Sequence, residues 1–244
     1  METIIVDDMA FDPEAGALRR RLLIEDGSED ERDFGRMLAE ARSVARPKAV
    51  FRPVLVEPAG PDRVLLEGVA FSSRVLAVNL EGRGRALAFA LTSGREIETW
   101  AEAYASDALL SYWCDAILEA ALLCARERFD AVVTGTMGFE KFSTMSPGSL
   151  EDWPISEQGP LFALLGDTQA AVGIRLTDSL LMLPRKSVSG LLFAVEERFE
   201  SCQLCPREDC PNRRLPYESG LMERKFAKGP RGAYASRERG KRAP

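Results

Sequence analysis

Short apolar runs broken by glycine and proline, interspersed with capped amphipathic segments, constrain the fold of this chain most. Residues 28–47 begin with Ser28 and Glu31 at capping-box spacing, continue with apolar residues at helical spacing and end at Pro47. Residues 50–92 then supply several short apolar runs, which predict strands with one short helix near Phe71. No regular strand–helix–strand repeat is visible. The pattern predicts an α+β fold: a mixed, mostly antiparallel twisted sheet with flanking helices.

Later segments continue the same mixture. Ser93 and Glu96 form a second capping box, and Ser106 with Asp107 begins the longest predicted helix, which carries one apolar face. Residues 130–139 predict a strand that runs into a loop, and residues 156–167 a short helix. Residues 172–184 and 187–196 alternate well enough to be strands.

The chain contains no histidine, which excludes several kinds of site. A Ser-His-Asp triad, a Cys-His pair and an H-E-x-x-H zinc site are all impossible, and no imidazole can bind a haem or cobalamin. The acidic N-terminus is unlike a secretory signal, and we find no apolar run of the ~18 residues that a membrane span needs. We therefore expect a cytoplasmic protein without a membrane segment.

Three of the five cysteines fall within nine positions, in the pattern C-x-x-C-x4-C. Cys202, Cys205 and Cys210 lie in a proline-bearing segment that is too irregular for a helix. In a reducing compartment, clustered thiols indicate metal or redox chemistry rather than structural disulfides. With no histidine available, the candidates are a 4Fe–4S cluster with a further ligand, zinc completed by Cys114 or Cys124, or free thiols. We expect the iron–sulfur cluster, with zinc as the alternative.

Charge divides the chain unevenly. Residues 223–244 hold eight basic and two acidic side chains, so residues 1–222 carry the excess acid of a chain whose net charge is -6. We predict three parts: an α+β domain at 1–198, a cysteine-rich metal-binding segment at 199–222, and a basic flexible tail at 223–244. The acidic body argues against nucleic acid as the main ligand.

Residues 146–193 carry a set of short motifs in a characteristic order. They are Ser146-Pro147-Gly148, Asp152-Trp153-Pro154, Leu176-Thr177 with Ser179, Met182 with Pro184, and Ser187-Val188-Ser189-Gly190. In this order and spacing the segment resembles the activation domain of cobalamin-dependent methionine synthase and its stand-alone relatives. The resemblance covers about a fifth of the chain.

The resemblance implies a function and a set of binding residues. Domains of this family are α+β, bind S-adenosylmethionine in a shallow groove and serve the reductive remethylation of oxidised cobalamin held by a partner. The expected ligand-binding residues here are Glu119, Lys141, Ser146, Pro147, Gly148, Ser149, Ser187 and Ser189. No catalytic residue is assigned.

The binding loop departs from the family pattern Arg-x-x-Pro-Gly-Tyr. Residues 144–149 read Thr-Met-Ser-Pro-Gly-Ser, so the arginine and tyrosine are absent. Lys141 is the cation near enough in sequence to replace that arginine, and Glu119 lies where the family helix offers a carboxylate. We therefore expect weak adenosylmethionine binding.

Three functions remain open from the sequence. The first is reactivation of the cobalamin of a methionine synthase or corrinoid methyltransferase, with electrons from a donor protein and an iron–sulfur relay at the cysteines. The second is a non-catalytic docking module for a corrinoid protein, with a zinc-stapled C-terminus. The third, an adenosylmethionine-dependent methyltransferase acting on another substrate, is disfavoured because no glycine-rich nucleotide loop follows a strand.

Overall fold

The sheet is antiparallel and is covered by helices on both faces. The computed structural model describes residues 2–210 and 213–227. The strands are β1 Ile4–Val6, β2 Lys48–Pro58, β3 Arg63–Leu66, β4 Val69–Ser72, β5 Arg85–Thr92, β6 Phe142–Met145, β7 Arg175–Leu176, β8 Met182–Leu183 and β9 Ser187–Ala194. Within these residues, seven strands form one sheet in the order β4-β3-β2-β5-β9-β6, with β1 also on β2, whereas β7 and β8 form a separate hairpin. All named strand pairs are antiparallel, which confirms the predicted fold class.

Seven α-helices accompany the sheet in the described part of the chain. They are α1 Ala15–Leu22, α2 Glu29–Val44, α3 Arg74–Leu80, α4 Arg95–Glu102, α5 Ala108–Met137, α6 Gln158–Leu165 and α7 Thr168–Val172. The predicted caps of α2 and α5 are confirmed: Ser28 accepts a hydrogen bond from the Glu31 N–H, and Asp107 accepts from the N–H groups of Leu109 and Leu110.

The central strand β5 shows how the sequence builds a two-sided core. Its alanines at 86, 88 and 90 face one buried cluster, and its larger residues Leu87, Phe89 and Leu91 face another. This alternation follows the two-residue period of a strand. The alanine face packs against α6 and α7, and the large residues meet Phe129 and Val133 of α5. A third cluster joins α1, α2, α4 and the first half of α5.

Residues 172–184 do not form one strand but contain the end of α7 and the short hairpin of β7 and β8. Two further local predictions are wrong. Residues 130–137 continue α5 rather than forming a strand, because Phe129 and Val133 are fully buried against the sheet and this burial outweighs the strand preference of the Val-Val-Thr run. The second capping box does not form. Gly94 precedes α4 without a side-chain cap, and the Ser93 hydroxyl donates to the Lys186 carbonyl.

The longest helix, α5, corrects the expectation about apolar runs. Within the described residues it is long and apolar enough to cross a membrane by length and composition. Its buried side chains pack in two of the three clusters of this fold. That packing is the ordinary behaviour of a core helix, which passes the same test of length and composition.

Candidate functional site

The predicted ligand loop is a tight turn at the end of β6. The Ser149 N–H donates to the Ser146 carbonyl at 3.1 Å, and the Gly148 N–H donates to the Trp153 carbonyl at 2.7 Å. Gly148 has a φ of +79°, and a side chain there would meet Ile155 at 3.1 Å. The positive φ therefore favours glycine, and any side chain here would also press against Ile155. Gly148 and Ser149 are exposed, Ser146 is half-buried and Pro147 is buried.

Gly190 of β9 lies directly beneath the start of this loop. A Cβ on Gly190 would lie 2.2 Å from the Met145 carbonyl oxygen and 3.0 Å from the Ser146 hydroxyl oxygen. The structure thus brings together two motifs that are more than forty residues apart in the sequence. The close approach explains why the residue after Ser187-Val188-Ser189 is glycine.

The two predicted serines of β9 have different surroundings. The Ser187 hydroxyl donates to the Pro184 carbonyl at 2.7 Å. Ser189 is buried, and its hydroxyl has no hydrogen-bond partner among the described residues. Strand alternation places Ser189 on the same sheet face as Leu191, which packs on the side of α6 rather than α5. Its side chain therefore lies on the opposite face from Ser146.

Lys141 and Glu119 each have a hydrogen-bond partner outside the loop. Lys141 precedes β6, so about 16 Å of extended chain separates it from Ser146, and its amine donates to the Glu196 carbonyl at 3.4 Å. The Glu119 carboxylate accepts a hydrogen bond from Arg21 of α1 at 2.6 Å. Their assignment as ligand-binding residues stays a prediction.

Sequence inspection missed Arg126 of α5, which contacts Thr144, two residues before Ser146. Its Nη2 donates to the Thr144 hydroxyl at 2.6 Å, and its Nε donates to Asp130 at 2.7 Å. Its guanidinium also lies over the Phe89 ring, 5.4 Å from the centroid. The spacing of Arg126 and Asp130, four residues apart on a helix, was the available signal. Because residues 130–139 were predicted as a strand, that spacing carried no weight.

A charged cluster extends from Arg126 towards the cysteines. Glu200 is almost fully buried, and its carboxylate contacts Arg198 at 2.7 Å and Arg214 at 2.9 Å. Burial raises the pKa of Asp130 above its ordinary value, while the positive charges of Arg126, Arg198 and Arg214 oppose that shift. These five side chains, three basic and two acidic, form what we call the arginine cluster.

The cysteine segment begins immediately beside the ligand loop. Thr144 and Glu200 form an isolated parallel bridge, and the Ser149 and Ser201 hydroxyl oxygens are 3.4 Å apart. Ser201 directly precedes Cys202. The structure therefore places the first cysteine next to the predicted binding loop, a proximity that the sequence spacing did not indicate.

The three cysteines themselves are half-buried free thiols. Arg213 donates to the carbonyls of Cys202 at 2.9 Å and Cys205 at 3.3 Å, and also contacts the Arg207 carbonyl. These hydrogen bonds hold the backbone of the loop and do not involve the sulfur atoms. Within residues 2–210 and 213–227, no three Cys, Asp or Glu side chains are gathered closely enough to hold a metal ion.

Several motif residues have structural roles rather than binding roles. Asp152 caps α3 by accepting from the Val75 N–H at 2.9 Å and from the Ser73 hydroxyl. Trp153 is fully buried and packs edge-on against Phe71. The Thr177 hydroxyl accepts from the Leu181 N–H at 3.1 Å and holds the turn between β7 and β8. Much of the sequence signature therefore specifies how the loop is supported.

Fold and loop together define an α+β domain that is shared with a solved structure of another protein. A crystal structure of the MetH reactivation domain bound to AdoHcy has the same fold, with a TM-score of 0.59 at 16% sequence identity. The match covers 82% of this chain and 80% of that chain. A comparison with curated proteins gives no match.

The loop region also matches a known family by its sequence. Residues 147–204 match the family described as the vitamin B12 dependent methionine synthase, activation domain. The resemblance that the sequence indicated is thereby confirmed. The matched segment runs from the ligand loop through β9 to the first cysteine, which is the region that the fold brings together.

Proposed function

We propose that this chain serves the reductive reactivation of cobalamin carried by a partner protein. In this proposal a donor protein supplies one electron to Co(II), and the resulting Co(I) takes the methyl group of S-adenosylmethionine, which leaves as S-adenosylhomocysteine. The observation that carries the proposal is the family match over residues 147–204, because that segment contains the loop and the strand that supports it. The chain's own part is to bind the methyl donor and to present it to the partner.

Calorimetric titration with AdoHcy and S-adenosylmethionine tests whether the chain binds the methyl donor and its product. We expect dissociation constants weaker than micromolar. The loop lacks two long polar side chains, and each lost charge-assisted hydrogen bond costs about tenfold or more in affinity. A sub-micromolar constant would contradict weak binding. No heat with either ligand at millimolar concentration would contradict the ligand site itself.

We also propose that Cys202, Cys205 and Cys210 bind a 4Fe–4S cluster, with zinc as the alternative. The donor set supports a metal, because three reduced thiols lie in one nine-residue stretch and soft thiolates suit both iron–sulfur clusters and zinc. The cysteines would hold the group, which would supply electron transfer. Arg213 donates to the carbonyls of Cys202 and Cys205 and so holds this part of the loop backbone in place.

Metal content and an ultraviolet–visible spectrum of anaerobically purified protein test the cysteine proposal. We expect iron, sulfide and broad visible absorbance that each of the Cys202→Ser, Cys205→Ser and Cys210→Ser variants abolishes. The Cys114→Ser variant is the matched control, because Cys114 is buried in the helical cluster and burial raises its pKa to about 11. Colourless protein with one zinc per chain would contradict the electron relay and would indicate a structural zinc site.

One observation favours the docking module as the second candidate. The Ser149 hydroxyl donates to the Ser146 carbonyl at 2.6 Å, so part of the loop's polar capacity is used internally. A docking module would bind a corrinoid protein, give no titration heat with AdoHcy and contain zinc. These three results together would support the docking module and contradict the reactivation function.

The partner proposed in both cases is a cobalamin-binding methyltransferase or corrinoid protein. We expect the purified chain to contain no cobalamin of its own, because it has no histidine and no D-x-H-x-x-G segment. The expected electron donor is a separate protein, and the expected location is the cytoplasm. Recovery of the chain with stoichiometric corrinoid would contradict this division of roles.

A further inference from the structure

Among the described residues, one edge of the Arg126 guanidinium forms no hydrogen bond, and the side chain is mostly buried. Thr144 and Asp130 occupy Nη2 and Nε, and within the described residues Nη1 donates no hydrogen bond. The side chain is 16% exposed, so it is reachable from solvent yet mostly desolvated. A guanidinium fixed on two sides and lying over an aromatic ring loses little side-chain freedom when it binds a further group.

The loop lies on the same side of the sheet as Arg126. Thr144, which Arg126 contacts, and Ser146 are two residues apart, so their side chains point to the same face of β6 and its extension. Gly190 lies below Ser146 on that face, where a Cβ would approach the Ser146 hydroxyl oxygen at 3.0 Å. A small ligand bound at the start of the loop, beside Ser146, would therefore lie close to Arg126, which contacts Thr144.

The charge around Arg126 favours an anionic group. The arginine cluster holds Arg126, Arg198 and Arg214 against Asp130 and Glu200, a net charge of +1 with both acids ionised. The Glu200 carboxylate is already engaged by Arg198 and Arg214, and Asp130 by Arg126. The surplus positive charge is thus not neutralised within the cluster.

We infer that Arg126 recognises the carboxylate of the amino-acid portion of the ligand at the loop, and so selects ligands that carry one. Guanidinium and carboxylate match in planar geometry, and such charge-assisted pairs are about twice as strong as neutral hydrogen bonds. Thr144 and Asp130 act as positioning residues for Arg126. This inference rests on the proposed function, because it assumes that a ligand of the AdoHcy type binds at residues 146–149.

The test compares two ligands on matched variants. AdoHcy and decarboxylated AdoHcy share the adenosine, thioether and amino groups, and differ in the carboxylate alone. We expect the wild-type chain to prefer AdoHcy by roughly tenfold or more, and the Arg126→Gln variant to bind both ligands equally. Arg128→Gln is the control, because Arg128 is an exposed arginine of the same helix outside the arginine cluster.

The other outcomes separate this inference from the proposed function. If wild type and Arg126→Gln discriminate between the two ligands equally, the inference is overturned while the ligand site stands. If AdoHcy does not bind the wild-type chain, both are overturned. Should circular dichroism show that Arg126→Gln is unfolded, Arg126→Lys serves instead, since it keeps the charge and loses the planar pairing. We expect it to weaken AdoHcy binding several-fold with no change for the decarboxylated ligand, and an unchanged preference would overturn the inference.

Discussion

At the scale of single residues, close backbone packing decides what the site tolerates. Gly190 is the clearest case, since the Met145 carbonyl oxygen occupies the position that a side chain would need. At Gly148, a side chain is disfavoured for a different reason, namely the positive φ and the nearby Ile155. Both glycines support the loop without offering a functional group. Their role is to let β9 and the turn approach each other.

The Gly190→Ala variant is therefore expected to destabilise the protein and displace the loop. Overpacking a tight site typically costs about 1–3 kcal/mol, and a 2.2 Å approach to a backbone oxygen leaves no side chain that could move aside. Urea unfolding gives the free energy, and AdoHcy titration reports on the loop. The control is Gly135→Ala on α5, which has open space and should gain roughly 0.5–1 kcal/mol. Equal stability of Gly190→Ala and wild type would contradict the packing argument.

At the scale of elements, polar contacts fix how the helices of the N-terminal half meet. Glu40 of α2 accepts hydrogen bonds from Trp100 Nε1 of α4, at 3.1 Å, and from the Tyr104 hydroxyl just beyond α4. The hydrogen bond from Tyr104 lowers the pKa of Glu40, and the same bond raises the pKa of Tyr104 to about 12. The ionised carboxylate and the neutral phenol are therefore the stabilised forms.

The Tyr104→Phe variant should lose stability in a way that depends on pH. The lowered pKa of Glu40 means that its contribution is present above its ordinary pKa of 4.5 and is lost as pH falls through the folded-state pKa. At neutral pH we expect a loss of about 1 kcal/mol or less, discounted because Glu40 is partly exposed. Below pH 4.5 the difference from wild type should shrink. Urea unfolding across pH measures it, with Tyr112→Phe as the control, because Tyr112 is exposed on α5. A difference that grows as pH falls would contradict the assignment.

At the scale of the whole molecule, the cysteine segment and the first residues after it are packed onto the main core. Phe199 and Phe226 belong to the same buried cluster as the sheet, and their ring centroids are 5.5 Å apart. The Phe226 carbonyl also accepts from Arg74 Nε of α3 at 3.1 Å. The predicted division into 1–198, 199–222 and 223–244 stays a prediction. Residues 228–244 of the basic tail lie outside the described residues.

The Phe226→Ala variant tests whether the cysteine segment unfolds together with the sheet. Removing a buried phenylalanine typically costs about 3–5 kcal/mol. If the segment and the sheet form one cooperative unit, the whole unfolding transition should move to lower urea concentration. Tyr217→Ala is the control, because Tyr217 is about half exposed. An unchanged main transition, with proteolysis confined to residues beyond 198, would instead show that the segment unfolds separately.

The sequence by itself determined the α+β class, the caps of α2 and α5, and the family resemblance of the loop region. These depend on local signals: capping residues, apolar periodicity and short motifs whose residues are close along the chain. The tertiary structure alone decided that α5 continues through 130–137, because burial against the sheet overrides local preference. It also decided that Arg126 meets Thr144, and that Ser201 meets Ser149. Such contacts join residues from different elements, and their distance is set by how the sheet and helices pack rather than by spacing along the chain.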